Sequence, residues 1–148
     1  PDAVSVDTLS SSFWHLMCRE LRRCGWMVCI NGSASSSPFG LYDVPILKYP
    51  LSEAIPVAEL AGWVISLRSG LCDLISSANC RLSVIYPKPA NSALSPFGQY
   101  SLRNQGMSKT VEEFEIGLSE DHLLLVKKII SGCAKGKYRD QVNIPQPM

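Results

Sequence analysis

The chain has 148 residues, 46% of them hydrophobic and 18% charged, and 14 basic against 13 acidic side chains leave a net charge of +1. That length suits one domain that folds without a metal or disulfide staple, and the composition excludes wholesale disorder. The near-even charge balance argues against a dedicated nucleic-acid binder, which carries a clear basic excess.

The first predicted element is a helix over about 12–24. Ser10, Ser11 and Ser12 offer N-caps, Phe13, Leu16, Met17, Leu21 and Cys24 recur at helical spacing, and Gly25 supplies a stop. Trp26 to Ile30 reads as a strand, Asn31-Gly32 as a turn, and 33–40 as a serine-rich loop. Extended structure resumes over 41–49, at a sheet edge or broken, because Pro45 has no amide proton to give a ladder. A second helix starts near Pro56 and runs to about 78. Its spacing of Val57, Leu60, Val64, Leu67, Leu71 and Leu74 is helical, and a break at Gly70 would split it.

Residues 81–86 read as a strand, 87–96 as a proline-rich loop, 97–103 as a weaker strand and 104–108 as a turn. Over 111–118, Phe114 and Ile116 alternate with Glu113 and Glu115, which predicts a strand with one wet face and favours an antiparallel sheet. A last helix starts at Ser119, with Leu123, Val126, Ile130 and Cys133 as its stripe. The expectation is an α+β fold in the order α-β-β-α-β-β-β-α: a mostly antiparallel sheet of about five strands packed by three helices. A single globular domain would span 1–135, and 136–148 would form an irregular basic, proline-containing tail.

No apolar run approaches the roughly 18 residues of a membrane helix. The longest candidate, 54–67, is interrupted by Glu59. The start has no signal-peptide pattern, and a first residue Pro1 reads as a domain of a longer protein. Of the six cysteines several sit at apolar positions of predicted elements, and they read as reduced and buried, so the expected location is intracellular, cytoplasmic or nuclear.

His15 and His122 both fall on helices, and no G-x-S-x-G elbow accompanies a serine, so no catalytic residue is assigned. Cys24 and Cys29 have a zinc-like spacing, but Cys18 and Cys24 point about 120° apart on a helix, and no metal is expected. No glycine-rich phosphate loop occurs, and no cofactor is expected. Glu113 and Glu115 share a strand face about 7 Å apart and read as a solvated pair. Arg19, Arg22 and Arg23 read as ordinary helix cations.

What remains is Lys135, Lys137, Tyr138 and Arg139, a basic cluster with an aromatic side chain, and Phe39 in the serine-rich loop. The favoured function is a non-catalytic protein–protein interaction domain, for scaffolding or assembly, with another protein or a peptide as partner. One alternative reads phosphate on a phosphopeptide or nucleic acid through 135–139. Another is a small Cys/His-dependent enzyme. No membrane partner is expected, and the oligomeric state is left open.

Overall fold

Ser10 opens the first helix: its hydroxyl accepts from the Phe13 amide at 3.4 Å and satisfies a first-turn donor. In the computed structural model, which describes residues 9–32, 43–88, 96–117 and 120–131, helix α1 runs Ser11–Arg23. It buries Phe13, Met17, Cys18 and Leu21. It ends in a Schellman turn, with the Gly25 amide on the Arg22 carbonyl, the Trp26 amide on the Leu21 carbonyl, and Gly25 at φ 86°.

Strands β1, Ile30–Asn31, and β2, Ile46–Leu47, form a parallel pair. They are shorter than the strands expected over 26–30 and 41–49. Pro45 stands just before β2 and joins the ladder only through its carbonyl, which accepts from the Ile30 amide at 2.8 Å.

After a 3-10 turn at Leu51–Glu53, helix α2 runs only Ala54–Ala61. Gly62 ends it in the left-handed region at φ 74°, its amide on the Ala58 carbonyl. The expected helix to 78 is therefore wrong. Trp63–Leu67 is strand β3, and Gly70–Ile75 is a separate short helix, α3. The helical spacing of Val64 and Leu67 misled because a strand covered on both faces is apolar throughout and fits any period.

Strand β4, Arg81–Pro87, lies between β3 and β5, Glu112–Ile116, and both pairings are parallel. The expected mostly antiparallel sheet of about five strands is thus replaced, among the described residues, by two small all-parallel sheets of two and three strands, with five α-helices. The 97–103 segment, expected as a strand, begins as helix α4, Pro96–Tyr100. Parallel neighbours need crossovers, and α3 and α4 provide them.

Register sorts the side chains. Trp63, Ile65, Leu67, Ile85, Phe114 and Ile116 point to one face and pack on α1 and on α5, His122–Ser131. Val64, Leu82, Val84 and Tyr86 point to the other and pack on α2, α3, Leu102 and Val111. The result is three layers, helix–sheet–helix. The wet face expected on β5 holds at Glu115, which is exposed, but not at Glu113, whose carboxylate is taken by donors from the turn after α4. On α5 the buried residues are Leu125, Val126 and Ile129, while Leu123 and Leu124 are exposed. Asp121 caps it, accepting from the Leu123 amide at 2.8 Å. Ser119 and Cys133 lie outside the described residues.

Candidate functional site

In open parallel sheets, ligands bind outside the carboxyl ends of the strands, where the loops to the next elements diverge. Both sheets have such an end. Beyond β1 come Asn31 and Gly32; beyond β2 come Lys48, Tyr49 and Pro50. These five residues line a groove of about 410 Å³. Gly32 lets the backbone come close there: a Cβ would stand 3.3 Å from Cγ2 of Ile46, a contact tight enough that the Ile46 side chain would have to give by a few tenths of an ångström. Its amide reaches the Leu47 carbonyl at 3.3 Å, which fixes the two strand ends together.

Each side chain has a distinct use. Lys48 is exposed and places a cation at the rim. Tyr49 is half-buried against the second core, and burial, with the Cys29 thiol nearby, pushes its phenol above the ordinary value. It therefore stays a neutral ring with a donor hydroxyl at physiological pH. Asn31 is exposed and offers both amide donors and an acceptor.

The carboxyl edge of the larger sheet is built differently. Arg68 follows β3 and is held by the Tyr100 carbonyl at 2.8 Å, the Ser69 carbonyl at 2.7 Å and the Asp73 carboxylate at 2.6 Å. With its side chain only 15% exposed, Arg68 acts as a brace between the loops after β3 and α4. Lys88 follows β4; its amide extends the ladder to the Ile116 carbonyl at 2.8 Å and its side chain is exposed.

Phe39, Lys135, Lys137, Tyr138 and Arg139 all lie outside the described residues. His122 is the first residue of α5; its ring meets Phe13 edge-on at 5.6 Å and its Nδ1 lies 3.5 Å from the Ser10 hydroxyl. His15 is exposed on α1. Cys18, Cys24, Cys29, Cys72 and Cys80 are free thiols; Cys18 and Cys72 are buried as expected, whereas Cys24, at the end of α1, and Cys29, just before β1, are exposed. Desolvation raises Cys18, Cys29 and Cys80 above the usual thiol range, the reverse of nucleophile activation. Among the described residues, no group of three or more His, Cys, Asp or Glu side chains is placed to hold a metal ion. Nor, among them, is any helix long and apolar enough to cross a membrane.

Asn31, Lys48 and Tyr49 carried no motif in the sequence. The only local signal was Asn31-Gly32, and it reads equally as a turn. No protein family, curated protein or solved structure matches this chain.

Proposed function

We propose that the chain is a binding unit that takes a small anionic molecule, of the phosphate-ester class, at the carboxyl end of the β1–β2 pair. The observation that carries this reading is the groove there, with Lys48, Tyr49 and Asn31 converging on it. A lysine ammonium at the rim supplies charge, an aromatic ring supplies a stacking surface, and the amide supplies orientation. The warrant for placing a ligand at a parallel-strand end is fold-level analogy, joined here to the chemistry of three named side chains. The five thiols free among the described residues suit a reducing compartment and support an intracellular setting.

The test is titration with adenosine diphosphate and, separately, pyrophosphate, followed by amide chemical shifts. Shifts centred on Asn31, Gly32 and Tyr49 are expected, with affinity reduced about tenfold by Lys48→Ala, as for loss of a charge-assisted contact. No shift at those amides with either probe, or equal affinity in the variant, would count decisively against the site.

A second reading has the chain hold another protein. A cationic groove along α1 and the exposed apolar side chains of Met27, Leu51 and Leu60 favour it, and substituting those three while measuring self-association or partner affinity is its test.

A further inference from the structure

We propose that the outward face of α1 docks an acidic, extended segment of a partner protein with carboxylates at alternate positions. Ser11, His15, Arg19 and Arg23 lie four residues apart in sequence, so they form one ridge along the helix. With Arg22 and Asp43 they line a groove of about 1010 Å³.

The charges do not cancel along this groove. Arg19 and Arg23 both turn to a single oxygen, Glu20 Oε1, at 3.0 and 3.1 Å. One carboxylate thus faces two guanidinium groups. Arg22 is separately tied to the Asp43 carboxylate and, at 3.0 Å, to the Asp43 carbonyl. That bond holds the Asp43 carboxyl below its usual range. Three arginines against Glu20 and Asp43 leave a surplus of one positive charge. Arg19 and Arg23 are 58% and 67% exposed, and exposed pairs of this kind are worth little, so an incoming carboxylate displaces Glu20 at small cost.

Spacing selects the form of the occupant. Successive positions of the ridge are about 6 Å apart along the helix, from a rise of about 1.5 Å per residue. Alternate residues of an extended chain are about 6.8 Å apart and share a face. A Glu-x-Glu-x-Glu segment therefore sets its carboxylates against His15, Arg19 and Arg23 in register. A contiguous acidic run points half its charges away.

The proposal rests on the protein-partner reading and not on the groove at β1–β2. It is tested with two labelled peptides of equal charge on the full chain, read by fluorescence anisotropy at low ionic strength. One alternates Glu and Ser; the other groups the same residues in blocks. The alternating peptide is expected to bind about tenfold more tightly, and to weaken as salt shortens the screening length from about 30 to 10 Å. Arg19→Glu with Arg23→Glu should abolish binding with the helical signal unchanged. Lys127→Glu with Lys128→Glu, exposed on α5, should leave it intact. Equal binding of the two peptides overturns the proposal, as does equal loss in the α5 variant. Tighter binding to vesicles rich in anionic lipid than to the peptide also overturns it, in favour of a membrane surface. If neither peptide binds, this proposal falls while the broader partner reading survives on the exposed apolar side chains of Met27, Leu51 and Leu60. Substituting those three and measuring self-association or partner affinity tests that reading alone.

Discussion

The Glu113 carboxylate accepts from the Tyr86 hydroxyl at 2.6 Å, the Ser101 hydroxyl at 2.8 Å and the Leu102 amide at 2.8 Å. One side chain thus ties the central strand, the edge strand and the turn after α4. Removing it in Glu113→Ala takes the acceptor from the Ser101 hydroxyl and leaves the Tyr86 hydroxyl only the Tyr100 carbonyl at 3.2 Å and the Leu102 amide only the Tyr86 oxygen at 3.3 Å, and should cost about 2 kcal/mol in urea unfolding. Burial first, and then the bond to Glu113, pushes the Tyr86 phenol above its ordinary value. The folded chain therefore holds that proton more tightly than the unfolded chain does. The linked stability is complete at neutral pH and drains away as pH rises past the unfolded phenol's value of about 10. Melting temperatures followed upward from neutral pH should fall steeply beyond that point. In Tyr86→Phe the starting value should be lower and the alkaline decline shallower. Parallel declines in the two chains would show that Tyr86 is not the source.

Single residues also set the limits of the elements. Gly62 stops α2 at φ 74°, and no atom stands within 4 Å of the position a Cβ would take. Gly62→Ala should therefore lose only backbone energy, about 1–2 kcal/mol for a left-handed L-residue. A urea midpoint unchanged by this substitution would mean that the turn relaxes into another conformation. The same glycine explains what the sequence left unread. Helix α1 was legible because one face is wet: Phe13, Met17 and Leu21 stand out against Arg19, Arg22 and Arg23. Strand β3 was not, because Trp63 to Leu67 is covered by helices on both sides and carries no contrast between faces. Strand β4 was found as a strand, yet Leu82 to Tyr86 are all buried, and it is that continuous burial that marks a parallel centre. Recognising α3 as a crossover would have required splitting the apparent long helix at Gly62 as well as at Gly70. The candidate site depended on the same step, since Lys48 and Tyr49 gain meaning only once β1 and β2 are seen to run in parallel.

Across the whole molecule, the two ends of the larger sheet are built differently. At the amino end, each strand contributes its first residue to one cluster. The Arg81 guanidinium lies 3.8 Å above the Trp63 ring, meets both oxygens of Glu112 at 3.0 and 3.1 Å, and donates to the Ile129 carbonyl of α5 at 3.2 Å. Ser83 completes it, accepting from the Trp63 indole at 3.0 Å and donating to Glu112 at 2.7 Å. The cluster locks three strands and a helix at the amino end of the sheet. Arg81→Ala should cost about 2 kcal/mol, because Glu112 is partly solvated and the pair is correspondingly screened. Arg81→Lys keeps the charge but loses the planar fork and the stacking on Trp63, so it should recover less than half of that loss. Urea unfolding of the three chains, followed by indole fluorescence, measures both steps. Full recovery by lysine would show that charge alone holds the corner; no loss in the alanine variant would show that the strands are set by their apolar faces without it.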